Sequence, residues 1–79
     1  MYIELKDTTG VHNRLGEYNS YTTAYQGMIE YCVSVWLCKE SDLFTKKDIE
    51  NSDGNHDVYR VSCNTGGRRS KKFVLKINS

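Results

Sequence analysis

The sequence predicts a small α+β domain with one long helix, one or two short helices, and terminal strands at 1–7 and 71–77 that pair in a small antiparallel sheet. Three observations lead to this fold class. Apolar residues recur at helical spacing between 20 and 39, polar and apolar residues alternate near both ends, and turn-forming residues separate these segments. Because 79 residues suffice for one domain, we assign 1–79 to a single domain.

The first half of the chain is expected to form a strand, a loop and the long helix. Residues 1–7 alternate as a strand does, and residues 8–20 are rich in turn formers. Ser20, Thr22 or Thr23 can cap a helix that runs to about Lys39. Residues 29–37 also alternate in the manner of a strand, so a strand stays possible there. The length of the segment and its capping residues favour the helix.

The segment from 43 to 65 contains a second helix signal and an ambiguous stretch. Thr45 and Asp48 have the spacing of a capping box, and Ile49 follows as an apolar contact for a short helix over 46–52. Asp53 and Gly54 would end that helix. Residues 55–65 fit a further helix or a strand that pairs with 71–77, and both interpretations remain open.

Charge is divided unevenly along the chain. Residues 1–57 contain five basic and ten acidic side chains, a net charge of −5, whereas residues 58–79 contain six basic and no acidic side chains, a net charge of +6. This asymmetry favours an acidic partner for the C-terminal part. The alternative is that the two halves neutralise each other across the fold.

Two runs in the second half resemble the second and third helices of winged-helix DNA-binding domains. They are Leu-Phe-Thr-Lys-Lys-Asp-Ile-Glu at 43–50 and Asp-Val-Tyr-Arg-Val at 57–61. The resemblance implies that the third helix enters the major groove and that the following hairpin touches phosphate. Candidate base or groove contacts are then Arg60, Asn64 and Arg68, and candidate phosphate contacts are Arg69, Lys71 and Lys72. The alternative for this segment is a β-hairpin with a basic turn.

Catalytic and metal chemistry find little support in the residue pattern, so we expect no enzyme activity, no cofactor and no metal. Cys32 and Cys38 are six residues apart rather than in a C-x₂₋₄-C pair, and a zinc site is not expected. Cys63 has His56 nearby in sequence, but neighbours in sequence seldom converge as nucleophile and base. Free thiols, no secretion signal and no membrane-length apolar run together indicate a cytoplasmic protein that does not enter the membrane.

Two functions follow from these observations. The first is a nucleic-acid-binding regulator, with DNA favoured over RNA, that uses the basic C-terminal segment. The second is a small viral or mobile-element protein that inhibits a host protein, for example an anti-defence or anti-CRISPR type inhibitor, by binding an acidic protein surface. A helix at 55–65 would favour groove recognition, whereas a strand there would present a basic hairpin.

Overall fold

The structure, a computed structural model, describes residues 2–7 and 13–78. Five strands and one α-helix are present in these ranges. In chain order they are β1 (Tyr2–Asp7), β2 (Asn13–Tyr18), α1 (Tyr21–Trp36), β3 (Leu43–Lys47), β4 (His56–Cys63) and β5 (Arg69–Asn78). Single 3₁₀ turns at Glu40–Asp42 and Ile49–Asn51 lie before and after β3.

The strands form one antiparallel sheet in the order β2-β1-β5-β4-β3. The predicted pairing of the two terminal segments is present, with Ile3 opposite Ile77 and Leu5 opposite Leu75. Because side chains alternate between the faces of a sheet, these apolar pairs lie on one face. The basic side chains Lys72 and Lys76 belong to the other.

Helix α1 packs on the apolar face and closes the core. Sheet residues Ile3, Leu5, Val61, Phe73 and Leu75 are buried against helix residues Ala24, Met28, Ile29 and Cys32. The four helix positions share one stripe at spacings of four, one and three residues, which is the pattern of an amphipathic helix. The helix spacing predicted in the sequence therefore reflects a real buried face, although the helix ends at Trp36 rather than near Lys39.

The two ends of α1 are capped differently. At the start, the Thr23 backbone N–H donates to the Ser20 hydroxyl over 3.2 Å, so Ser20 is the N-cap residue among the three that the sequence offered. At the end, Leu37 adopts a left-handed backbone conformation with φ of 52°. This conformation normally favours glycine, because a Cβ atom crowds the backbone there.

The predicted short helix at 46–52 is wrong. Lys46 and Lys47 continue strand β3, and a single 3₁₀ turn, Ile49–Asn51, is the nearest helical feature. Both capping-box side chains have other partners: the Thr45 hydroxyl bonds the Tyr25 hydroxyl at 2.6 Å, and the Asp48 carboxylate accepts from Asn51 and Lys72. Ile49 is 80% exposed, so it packs no helix against α1.

Within 55–65, residues His56–Cys63 form strand β4, so this segment contains no recognition helix and no helix-turn-helix. Asp53 Oδ1 accepts the backbone N–H groups of Asn55 and His56, and this turn leads directly into β4. The β4–β5 hairpin then closes through Gly66 and Gly67, with φ of 71° and 115°. The fold is thus sheet-dominated with one helix, and the expected winged-helix-like α+β fold is contradicted.

Candidate functional site

The sheet face opposite α1 carries two adjacent rows of side chains that differ in chemistry. The strand register places Phe44, Ser62 and Ser70 in one row across β3, β4 and β5. The next row, two residues further along each strand, contains Lys46, Arg60 and Lys72. Two residues of a strand span about 6.6–6.8 Å, so an aromatic and hydroxyl row lies directly beside a cationic one. We call these six residues the open-face site.

Two surface depressions meet at this site. The first has a volume of about 490 Å³ and is lined by Phe44, Arg60, Ser62, Asn64, Arg68 and Ser70. The second has a volume of about 440 Å³ and is lined by Lys46, Lys47, Asp48, Ile49, Glu50 and Arg60. Arg60 lines both depressions and is the residue that they share. Among the described residues, none of those that line the first depression is acidic, whereas two of those that line the second are.

The positive charge of the open-face site is only partly compensated. Lys72 Nζ lies 3.2 Å from Asp48 Oδ2. Hydrogen bonds from Asn51 and Lys72 hold the pKa of Asp48 below its usual range, so this carboxylate stays ionised. Among the ion pairs of the described residues, none includes Lys46, Arg60 or Arg68. The uncompensated cations therefore line the depressions.

The structure brings together four of the six residues that the sequence nominated. Arg60, Asn64 and Arg68 line one depression, and Lys72 is the cross-strand neighbour of Arg60. Their grouping comes from strand alternation and the β4–β5 hairpin, not from a recognition helix.

The remaining two nominated residues, Arg69 and Lys71, lie on the helix side of the sheet. Arg69 Nη1 donates to the Trp36 carbonyl over 2.7 Å and so binds the end of α1. Lys71 Nζ lies 3.0 Å from the buried carboxylate of Asp7 and 5.7 Å from the centre of the Tyr31 ring. The hydrogen bond with Asp7 raises the pKa of Lys71 and keeps it charged. Both side chains serve the fold.

Sequence reasoning missed four residues of the site: Phe44, Lys46, Ser62 and Ser70. Phe44 precedes the predicted short helix and Lys46 begins it, although their alternation with Thr45 is also the pattern of a strand. Phe44 is 64% exposed, whereas its neighbour Leu43 packs against the core. A strand interpretation of 43–47 would have placed both residues on one face with Arg60.

A second polar cluster lies on the helix side and is structural. The Tyr21 hydroxyl lies 2.6 Å from both Asp57 Oδ2 and the Tyr59 hydroxyl, and Lys47 Nζ lies 3.3 Å from Asp57 Oδ1. Burial, together with the bonds to Asp57 and Tyr59, raises the pKa of Tyr21 far above its usual value. A phenol held protonated between α1 and β4 links the helix to the sheet and is a poor general base.

Cys32 and Cys38 lack the features of reactive thiols. Burial raises the pKa of Cys32 to about 12, and burial with hydrogen bonding to Cys63 also raises the pKa of Cys38. Thiols protonated at neutral pH are weak nucleophiles. Within 2–7 and 13–78, no three His, Cys, Asp or Glu side chains are arranged to hold a metal ion. Over the same ranges, no helix combines the length and apolar character required to span a bilayer.

Comparisons with protein families, with curated proteins and with solved structures find no match to this chain.

Proposed function

We propose that this chain is a non-enzymatic nucleic-acid-binding module that uses the open-face site. The observation that carries the proposal is the row of Lys46, Arg60 and Lys72 beside a depression with no acidic lining residue. Phosphate contacts supply most of the affinity of nucleic-acid-binding proteins, and they require uncompensated cations on an accessible surface. Arg60 and Arg68 meet both conditions.

The distribution of acidic side chains supports the same surface. Glu4 and Glu17 are cross-strand neighbours on β1 and β2, toward the opposite edge of the sheet, and both lie near Arg14 in ion pairs. The face is therefore mixed in charge at the β2 edge and basic toward the β3 edge. A polyanion would be drawn to the β3–β4–β5 half, since electrostatic attraction acts over the summed local charge.

The proposal does not require a helix in a groove. Helix α1 is occupied by the core on the apolar face, so direct contact would come from strand side chains and from the β4–β5 hairpin. Sheets bind nucleic acid in this way in several known modes. Arg69 and Lys71, which the sequence nominated, would contribute to folding and not to contact.

The salt dependence of binding tests the proposal. Fluorescence anisotropy with labelled oligonucleotides at increasing salt should give a log–log slope that reports the number of phosphate contacts. An Arg60→Ala/Arg68→Ala double variant should flatten the slope by about one unit per lost contact. The matched control is Arg14→Ala/Lys39→Ala, which removes the same charge from exposed positions outside both depressions.

Two results would reject the proposal. One is the absence of binding to any single-stranded or duplex oligonucleotide at low salt. The other is an equal loss in the control variant, because net charge alone would then explain the attraction. Retention of an acidic polypeptide without any binding of oligonucleotides would instead favour the alternative partner, an acidic protein surface.

A further inference from the structure

We infer that the open-face site selects unpaired nucleic acid over duplex, with Phe44 stacking on a base while Arg60 and Arg68 hold the adjoining phosphates. This inference deepens the proposed function and rests on it. It starts from the one feature of the site that phosphate binding does not explain. Phe44 is 64% exposed and lies in the wall of the depression that Arg60 and Arg68 also line.

The exposed ring has no structural role that accounts for it. Phe44 sits on β3, which is an edge strand, and its cross-strand neighbour on the open face is Ser62. A phenylalanine beside a serine on a solvent-facing row adds little to packing, because Ser62 offers almost no apolar surface. Its helix-facing neighbours on the same strand, Leu43 and Thr45, make the contacts that hold β3 to the core and to Tyr25.

The chemistry around Phe44 fits a nucleotide. An aromatic face can stack on any base, and the removal of such a contact weakens binding by about 1–3 kcal/mol. The hydroxyls of Ser62 and Ser70 and the amide of Asn64 can donate to or accept from base edges. Arg60 and Arg68 in the same lining can neutralise phosphate. One depression therefore offers partners for the base and for the backbone.

Unpaired strands satisfy this arrangement and duplexes do not. In a duplex the base faces are already stacked on each other, so a ring on the rim of a sheet can reach them only after unpairing. The second depression continues past Arg60 to Lys46, which gives a flexible single strand a further cation beyond the stacked base. Asp48 and Glu50 also line this depression, and their negative charge limits how far a strand can follow it.

The test compares Phe44→Leu with Phe44→Tyr in the full chain. Leucine keeps an apolar side chain but loses the aromatic face, whereas tyrosine retains it. The probes are oligothymidylate and oligouridylate of about 12 nucleotides, within the usual range of site sizes of about 4–16, and a duplex of the same length. Thermal unfolding by circular dichroism verifies that both variants fold, which is expected because Phe44 is exposed.

We expect wild type to bind a single strand more tightly than the duplex, and the stronger of the two single strands shows whether thymidine or uridine nucleotides are preferred. Phe44→Leu should weaken single-strand binding about 5- to 150-fold, the range that corresponds to one lost stacking contact. Phe44→Tyr should retain it, and tyrosine or leucine should change duplex binding little.

The inference and the proposed function fail in different ways. Duplex binding as tight as single-strand binding, with no effect of Phe44→Leu, would overturn the inference and leave nucleic-acid binding in place. Competition by polyglutamate as effective as that of the oligonucleotides would also overturn it, since polyglutamate carries charge without bases. No binding of any oligonucleotide at low salt would overturn the proposed function itself.

Discussion

The contact between Gly27 of α1 and Tyr18 of β2 predicts an unusual response to a helix-favouring substitution. A Cβ atom at position 27 would overlap the phenol oxygen and Cζ of Tyr18 and would lie 2.8 Å from Cε1. Ordinary carbon–carbon contacts are about 3.5–4.0 Å, so the ring must move before alanine can fit. The Tyr18 ring packs against the core, and its displacement disturbs the attachment of β2.

Two opposing terms set the size of the effect. Alanine in a helix interior is favoured over glycine by about 0.8–1.0 kcal/mol. Inserting a methyl group into packed space costs about 1–3 kcal/mol. Gly27→Ala should therefore lower the free energy of unfolding by about 0–2 kcal/mol in the wild-type chain. In a Tyr18→Ala background the space is open, and the same substitution should raise the free energy of unfolding by about 0.8–1.0 kcal/mol.

Urea titration of the four proteins of this double-mutant cycle measures the coupling between the two positions. Trp36 fluorescence and far-ultraviolet circular dichroism provide independent signals for the helix end and the whole fold. The expected coupling free energy is about 1–3 kcal/mol. Gly27→Ala should be neutral or destabilising in the wild-type chain and stabilising in the Tyr18→Ala background. Equal stabilisation by Gly27→Ala in both backgrounds would show that the Tyr18 ring does not occupy the space above the helix.

Two further predictions concern the helix end and acid stability. Leu37→Gly should make the chain about 1 kcal/mol more stable to urea than Leu37→Ala, because the left-handed conformation at φ 52° penalises any side chain, and equal stabilities would contradict the capping geometry. Hydrogen bonds from Asn51 and Lys72 lower the pKa of Asp48, and hydrogen bonds from the Asn55 and His56 backbone lower the pKa of Asp53. The two carboxylates therefore contribute fully to the free energy of unfolding above the ordinary pKa of 3.8. This contribution is lost as the pH falls through their lower folded pKa values. Urea titrations across this range should show an acid limb that Asp48→Asn/Asp53→Asn flattens and Glu30→Gln does not.

The sequence predicted the long helix and the two terminal strands because both depend on regular, local patterns. The stripe of Ala24, Met28, Ile29 and Cys32 is visible at helical spacing, and Ser20 stands where a cap is needed. Ile3 and Leu5 at one end and Leu75 and Ile77 at the other alternate as buried strands do.

The wrong prediction of a short helix at 46–52 has a physical cause in distant contacts. The Thr45 hydroxyl bonds Tyr25, and the Asp48 carboxylate bonds Lys72, which lies 24 residues further along the chain. A capping box competes poorly with such partners once β3 pairs with β4. Neither partner can be identified from local spacing, so tertiary contacts outweigh the capping-box pattern of Thr45 and Asp48.

The candidate site was predictable as a charged segment but not as a surface. The uneven distribution of charge indicated that the C-terminal part binds the partner. Side chains alternate along β5, however, so Lys71 pairs with Asp7 on one face of the sheet and Lys72 pairs with Asp48 on the other. Phe44 and Lys46 join the site from β3, which lies outside the basic segment. Assigning a face requires the strand register, and the register was unknown while residues 55–65 could still be a helix.

The central position of β5 also governs how this chain can assemble. Residues 69–78 join two antiparallel pairs, β1–β2 and β3–β4, which have no direct pairing with each other in the described sheet. A growing chain can form each hairpin early, but it cannot unite them until residues 69–78 have emerged from the ribosome. Contacts between β1 and β5 span most of the sequence, and closing such long loops slows folding. Until then, the inner edges of both hairpins are open to pairing with other chains, so synthesis is the stage at which this protein is most exposed to aggregation.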